Sequence, residues 1–146
     1  MTKNPYLAAM CCGTQEVNPL FNFLGATLLS AANGEAKMEL PVSPCLTQGA
    51  GAVAGGILAT LADEAMAHAV ISLLEPGKNT VTTEMNIRYL RATDPDKKGT
   101  LVGTATVIKA GRSILTAEAE VRDETGRLLA TAGGSFFVVD EKKSAL

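Results

Sequence analysis

A single apolar segment constrains the fold of this chain more than any other feature. Apolar side chains cover nearly every face of a helix drawn through residues 57–74, and a helix that is apolar all round must be buried. Asp63 lies in the middle of this segment. Because an unpaired carboxylate in such a place costs several kcal/mol, Asp63 needs a partner, a shifted pKa or a chemical role.

A glycine-rich stretch, QGAGAVAGG at residues 48–56, precedes the apolar segment. The first N–H groups of a helix have no partner inside the helix. The pair Gly55-Gly56 would leave those N–H groups open to a polarised carbonyl oxygen or to an anion. A helix end that can hold oxygen, followed by a carboxylate, indicates acyl chemistry.

Most of the remaining sequence predicts β-structure. Asn33-Gly34 is the strongest short hairpin signal in the chain, and residues 44–54 are predicted to form a loop. Alternating apolar residues predict strands at residues 25–32, 36–42, 81–92, 101–110, 114–122 and 128–139. The chain therefore has two strands, one long helix and four further antiparallel strands.

The two ends of the chain are predicted to differ from this central part. Residues 1–17 form a lead that is poorly defined or helical, and Asn18 followed by Pro19 is typical of a helix start. A turn is predicted at residues 95–99, and the tail at residues 140–146 is expected to be frayed.

Together these elements predict an α+β fold in which a curved antiparallel sheet of about six strands wraps the long helix. A chain of 146 residues is long enough for one domain with a real core, which we place at residues 18–139. A single sheet leaves one edge and one flank of the helix uncovered, so we expect at least a homodimer and plausibly a homotetramer.

Composition excludes several classes of partner. The formal charge of −2 argues against nucleic acid, which is bound through clustered Lys and Arg. Residues 40–62 carry no charge, but their prolines, glycines and polar groups argue against a membrane span. The odd number of cysteines (Cys11, Cys12 and Cys45) argues against a disulfide framework and a metal site. We expect a cytoplasmic protein without metal or cofactor.

The spacing of the two candidate groups predicts how a site could form. Gly56 and Asp63 are seven residues apart, so they share one side of the helix but lie about 10 Å apart along its axis. One reacting carbonyl needs donor and carboxylate each within about 3 Å. Two antiparallel helices meeting across a dimer can supply both, Gly56 from one chain and Asp63 from the other.

Over about residues 18–139 the chain resembles the hotdog-fold acyl-CoA thioesterases of the phenylacetate-degradation type. The resemblance rests on five motifs taken together: Gly55-Gly56, LADEA at residues 61–65, TVTTEMNIRYLRA at 80–92, KAGR at 109–112 and GRLLATAG at 126–133. It implies hydrolysis of an aryl or a short- or medium-chain acyl-CoA thioester to a carboxylate and free coenzyme A.

The resemblance also implies roles for particular residues. Asp63 matches the catalytic carboxylate, which acts as nucleophile or as general base on water, and Gly56 with Gly55 matches the N–H groups that polarise the thioester carbonyl. Gln48 stands where the family carries Asn or Gln near the attacking water. Thr82 and Thr83 stand where a Ser or Thr often assists across the dimer. The candidates for binding the phosphates of coenzyme A are Arg91, Lys109 and Arg112.

One position departs from the family pattern. Members usually carry His before the glycine pair, and this chain has Ala54, which would line the substrate site without an imidazole. The carboxylate and the N–H donors are kept, so activity with an altered rate or substrate preference is expected. A non-catalytic module that binds acyl-CoA or lipid is the alternative.

Structural roles remain open for the same residues. Asp63 could be a structural carboxylate that accepts from Thr82 or from a partner's helix end, and Gln48 could cap its own loop. Both threonines are good strand residues in any case. Arg91, Lys109 and Arg112, taken singly, could be solvated charges at strand ends.

His68 suggests a further alternative, a hotdog hydratase acting on 2-enoyl-CoA. Its five-residue offset from Asp63 turns the two side chains about 140° apart on a helix, which counts against that chemistry. Glu64 and His68, at positions i and i+4, are instead predicted to form a surface or interface pair.

Overall fold

The computed structural model describes residues 4–13, 15–94 and 99–141. The order of its elements confirms the predicted pattern of two strands, one long helix and four strands. The helices are α1 (Pro5–Cys11), α2 (Pro19–Leu24) and α3 (Gly55–Ile71), with 3-10 turns at Gln15–Val17 and Pro44–Leu46. The strands are β1 (Thr27–Ala32), β2 (Glu35–Pro41), β3 (Lys78–Tyr89), β4 (Thr100–Ala110), β5 (Ile114–Arg122) and β6 (Leu128–Asp140).

The six strands form one antiparallel sheet in the order β1-β2-β4-β5-β6-β3. Helix α3 contacts all six strands, which requires the sheet to curve round it. Strand β3 is an edge of the sheet although it follows α3 directly in sequence, and most of its side chains are half-buried or exposed. The predicted α+β hotdog architecture is therefore confirmed.

Small residues let α3 lie close to the sheet. A Cβ atom added at Gly103 in β4 would lie 3.0 Å from Cγ of Leu61 and 3.3 Å from its backbone oxygen. One at Gly134 in β6 would lie 3.3 Å from Cε of Met66. Alanines without exposed surface continue this contact on both sides, at Ala62, Ala65 and Ala69 of the helix and at Ala117 and Ala130 of the sheet. The core is thus built by close approach of backbones.

Hydrogen bonds explain where the elements end. The hairpin at Asn33-Gly34 has the left-handed φ angles of 54° and 80° that such a two-residue turn needs. The Gly34 N–H donates to Oγ of Ser72, just past the end of α3. Strand β3 ends at Tyr89 because the N–H groups of Leu90 and Arg91 both donate to the Leu129 carbonyl, so the chain leaves the ladder there.

The N-terminal predictions fall on described residues, whereas most of the predicted turn and tail do not. Helix α2 begins as predicted, with the Asn18 side chain accepting from the Phe21 N–H and Pro19 in the first turn. Helix α1 buries Leu7 and Met10 completely, so it packs as part of the same core. The turn predicted at residues 95–99 lies outside the described residues except for Gly99. Of the tail predicted to be frayed, residues 142–146 also lie outside the described residues, and Asp140 is the last residue of β6.

The uncharged stretch at residues 40–62 is divided among the end of β2, a loop with one 3-10 turn and the start of α3. Among the residues that the structure describes, none of the helices combines the length and the apolar character that crossing a membrane demands.

Glu64 and His68 do lie side by side as predicted, with Oε2 of Glu64 3.8 Å from Nδ1 of His68, but the prediction that the pair lies at a surface is wrong at His68. His68 is 1% exposed, because α1 and α2 fold back over this part of α3. Its ring contacts the rings of Tyr6 and Phe21, with centroids 5.6 and 5.2 Å away. The sequence pattern of the helix alone could not show this, since the covering residues come from a separate segment.

A chain of hydrogen bonds fixes the His68 ring in one protonation state. The Glu64 carbonyl can only accept, so the His68 Nδ1 2.6 Å away carries the proton. The Nε2 atom then accepts from the Tyr6 hydroxyl at 2.8 Å, and the Asn18 side chain donates to the same hydroxyl oxygen at 2.9 Å. Burial lowers the pKa of His68, so the ring stays neutral, and burial raises the pKa of Tyr6 to about 12.

Glu64 is the half-buried end of this cluster, and its pKa lies far from the ordinary value of a carboxyl group. Burial, reinforced by the charge of Asp63, raises its pKa to about 7, against a hydrogen bond from Asn18 that lowers it. Because the folded-state pKa lies above the unfolded value, the stability from this group is complete below about pH 4.5 and is lost as the pH rises through about 7. His68 acts oppositely, since its lowered pKa costs stability as the pH falls below its ordinary value.

Replacing Glu64→Gln is expected to remove the first of these effects. Above pH 7 the variant should be more stable than the wild type by about 1–3 kcal/mol, because no charge has to be buried. The difference should shrink towards pH 4.5. Urea unfolding of both proteins from pH 4.5 to 8 measures it. A difference that stays constant over this range would contradict the assignment.

Candidate active site

Helix α3 begins with a glycine pair whose N–H groups are not capped by a side chain. Ala54 precedes the helix without a side-chain cap, and it is held by its own N–H, which donates to the Leu46 carbonyl at 2.8 Å. The Ile57 N–H donates to the Ala54 carbonyl. The N–H groups of Gly55 and Gly56 have no acceptor among the described residues. A Cβ atom on Gly56 would meet no atom of the described part of the chain within 4 Å, so this helix end is free to receive an oxygen atom.

Asp63 has a partner in its own chain. The Thr82 hydroxyl on β3 donates to Oδ1 of Asp63 at 2.8 Å. The carboxylate is half-buried rather than enclosed, because it lies on a flank of α3 that the sheet does not cover. One flank of the helix is therefore left uncovered by the sheet, as predicted, and the carboxylate there is both fixed and accessible.

The two threonines of β3 separate at an irregularity in the strand. Thr82 pairs with Phe136 and Glu84 pairs with Ser135, which leaves Thr83 as the extra residue of a β-bulge. The Thr83 hydroxyl donates to the Ser135 carbonyl at 3.0 Å, so it binds the neighbouring strand. The bulge thus directs Thr82 to the carboxylate and Thr83 away from it.

The uncovered flank of α3 contains both candidate groups. Its half-buried or exposed residues recur every three or four positions, as the face of one helix does: Gly56, Ala59, Thr60, Asp63 and Ala67. The donors and the carboxylate therefore face the same direction in one chain, two helical turns apart. This arrangement matches the spacing on which the two-chain site was predicted.

Gln48 lies beside the helix start but its oxygen binds its own loop. The side-chain Oε1 accepts from the Ala50 N–H in a short contact, as the structural alternative expected. Gln48 still lines a cleft of about 330 Å³ that also contains Gly55, Tyr89 and Arg91. The cleft adjoins the start of α3, which keeps Gln48 next to the candidate site.

The three predicted cations are not brought together in one chain. Arg91 borders the cleft and its Nη1 donates to the Leu128 carbonyl at 2.9 Å, near the end of β5. Lys109 and Arg112 lie at the β4–β5 hairpin, where β5 begins. The length of β5 separates the two locations by about 25 Å. If all three bind one coenzyme A, more than one chain must contribute.

Tyr89 also belongs to this region, although the sequence did not predict it as a site residue. The Tyr89 hydroxyl donates to the Gly55 carbonyl at 2.8 Å. The alternation of β3 places Tyr89 on the same face as Met85 and Ile87, but only the fold shows that its hydroxyl reaches the helix start.

Comparisons with known proteins agree with this geometry. The family model of the thioesterase superfamily matches residues 50–130, more than half of the chain. Human acyl-coenzyme A thioesterase 13 is 35% identical over 106 residues, which cover 71% of this chain and 73% of that protein.

Solved structures show the same fold. A conserved protein from Pseudomonas aeruginosa superposes with a TM-score of 0.78 at 32% identity, covering 86% of this chain and 98% of that one. A variant of the phenylacetic acid degradation protein PaaI from Thermus thermophilus has a TM-score of 0.74 at 28% identity, covering 82% and 98%. By sequence and by fold, the chain belongs to the thioesterase superfamily and is a thioester hydrolase of the hotdog fold.

Proposed function

We propose that this protein hydrolyses acyl-CoA thioesters to a carboxylate and free coenzyme A, with each active site built from two chains. The observation that carries the proposal is the pairing of a fixed, accessible carboxylate with open N–H donors on one uncovered flank of α3. Asp63 is held by Thr82, and Gly56 presents its N–H without a neighbour at its Cβ position. The similarity to a human acyl-coenzyme A thioesterase supports coenzyme A as the leaving group.

The spacing along the helix determines how the groups cooperate. Because Gly56 and Asp63 lie about 10 Å apart on one helix, a single thioester takes the donor from one chain and the carboxylate from its partner. Antiparallel helices related by a two-fold axis create two equivalent sites. A homodimer is then the minimal active unit, and a homotetramer would pair two of them.

The reaction requires one water molecule and one proton relay. Asp63 takes a proton from water as the oxygen attacks the thioester carbon, and the carbonyl oxygen becomes an oxyanion held by the Gly56 N–H. The C–S bond then breaks, and the thiolate of coenzyme A recovers the proton from Asp63. In the alternative route Asp63 attacks the carbonyl carbon directly, and water hydrolyses the resulting anhydride.

Other residues of the region have supporting parts in this proposal. The bond from Thr82 to Oδ1 leaves Oδ2 of Asp63 to act as the base. Gln48 and Ala54 line the approach to the helix start, and Arg91, Lys109 and Arg112 bind the phosphates of coenzyme A from more than one chain. The free, exposed Cys11, Cys12 and Cys45 fit the cytoplasm, where we place the protein.

Replacing Asp63→Asn is expected to lower the release of free thiol from acyl-CoA by about 10²- to 10⁴-fold, because the base is lost while the side chain keeps its shape. Thr82→Val should cost less, about 10-fold, since it removes one hydrogen bond to a charged group. Turnover is followed with a thiol reagent on aryl-, short- and medium-chain thioesters.

Thr80→Val is the matched control for both variants. It removes a hydroxyl on the same strand, where Thr80 donates to the Phe137 carbonyl and not to the carboxylate. Wild-type turnover by Asp63→Asn would contradict the mechanism. Binding of all thioesters by the wild type without thiol release would instead favour the non-catalytic module, for which Ala54 is the residue to restore to His.

Gly56→Ala separates stability from activity. Alanine in a helix is favoured over glycine by about 1 kcal/mol, and the added Cβ meets nothing within 4 Å, so the free energy of unfolding should rise. Thiol release should fall, because the Cβ obstructs the approach of the thioester oxygen to the N–H. Chemical unfolding and the thiol assay measure the two effects.

The control for this variant is Gly133→Ala on the outer side of β6, where the nearest heavy atom lies 3.7 Å from the added Cβ. It should leave turnover unchanged. Full turnover in Gly56→Ala would argue against an open donor at this position.

A further inference from the structure

The helix start contains a contact that the proposed reaction does not yet use. Tyr89 donates its hydroxyl to the Gly55 carbonyl at 2.8 Å. The Gly55 carbonyl and the Gly56 N–H are the two ends of one peptide group. The hydroxyl of Tyr89 therefore binds the same peptide that offers the proposed oxyanion donor, from its opposite end.

We propose that Tyr89 is a positioning residue, whose hydroxyl orients and polarises the Gly55–Gly56 peptide so that its N–H can hold the oxyanion. This inference rests on the proposed thioester hydrolysis. Tyr89 does not touch the reacting atoms, and it acts only through the peptide.

The two glycines of the pair serve different purposes in this arrangement. A Cβ atom on Gly55 would lie 3.1 Å from Cζ and 3.2 Å from the hydroxyl oxygen of Tyr89, so glycine is what lets the ring lie against the backbone. A Cβ atom on Gly56 would enter open space. Gly55 is thus needed so that the Tyr89 ring can pack against the backbone, and Gly56 is needed so that a thioester oxygen can approach the N–H.

Burial does not force the bond between Tyr89 and Gly55. Tyr89 is 49% exposed, so water could satisfy its hydroxyl. The backbone holds the residue in place instead, because Tyr89 pairs with Ala130 and the next two N–H groups both donate to the Leu129 carbonyl. The end of β3 is thereby fixed where its last side chain meets the start of α3.

The physical effect of the bond has two parts. A hydrogen bond to a carbonyl polarises the amide and strengthens the donor at its other end, by about 10–30%. A pair of glycines also has more backbone freedom than other residues, which the bond restricts. Since one oxyanion donor is worth about 10²- to 10³-fold in kcat, losing the polarisation alone should cost about 2- to 8-fold.

The first test uses the free protein and needs no activity. In Tyr89→Phe the amide ¹⁵N resonance of Gly56 should move upfield, because the carbonyl on the other side of that peptide has lost the Tyr89 hydroxyl as a donor. Thr80→Val removes a hydroxyl bond to a backbone carbonyl on the same strand and should leave the Gly56 resonance in place. An unmoved Gly56 resonance in Tyr89→Phe overturns the proposal.

The second test measures kinetics on a thioester that the wild type hydrolyses. Tyr89→Phe should lower kcat about 2- to 8-fold with KM unchanged, as expected for an interaction that strengthens only in the transition state. Thr80→Val should change neither constant. A raised KM with normal kcat, or a lowered kcat without the shift of the Gly56 resonance, assigns Tyr89 a merely structural or binding role and overturns the proposal.

A substitution that makes the hydroxyl a stronger hydrogen-bond donor tests the same effect if the phenylalanine variant fails to fold. Fluorotyrosine at position 89 is a better donor, so below the pH at which it ionises it should raise kcat and move the Gly56 resonance downfield. Changes in the opposite direction overturn the inference. If the wild type releases no thiol from any thioester, the proposed function fails, while the resonance of Gly56 still tests the action of Tyr89 on the peptide.

Discussion

The close approach of α3 to the sheet is the contact on which the rest of the structure depends. Gly103 and Gly134 leave room for Leu61 and Met66, and alanines without exposed surface extend the contact on both sides. Since packing at this distance aligns backbones rather than flexible side chains, the helix is held in one rotation and at one depth. The start of α3 and the carboxylate in its middle are thereby placed with the accuracy that acyl chemistry requires.

The same contact explains why one flank of α3 stays open. The sheet reaches its edge at β3, and from that edge it touches the flank through two hydroxyls, one from Thr82 to Asp63 and one from Tyr89 to Gly55. Both bonds orient polar groups without covering them. The edge strand therefore acts as a support for the site, and its bulge at Thr83 sets which hydroxyl reaches the carboxylate.

Much of this could be predicted from the sequence, because periodicity and turn chemistry are local. The six strands, the hairpin at Asn33-Gly34 and the helix start at Asn18 all follow from residues close to one another in the chain. The prediction that failed concerned the surroundings of the His68 side chain on α3. The pattern of the helix showed His68 next to Glu64, but the burial of His68 depends on Tyr6, which lies 62 positions away.

The sequence by itself determined the order of elements, the glycine pair at the start of α3 and the place of Asp63 seven residues after Gly56. Each of these is fixed by residue type and spacing along one chain. The tertiary structure alone decided what these groups meet. Asp63 is bound by a residue 19 positions away and Gly55 by one 34 positions away, because the edge strand returns antiparallel to the helix. Such pairings depend on sheet order and register, which no local pattern contains.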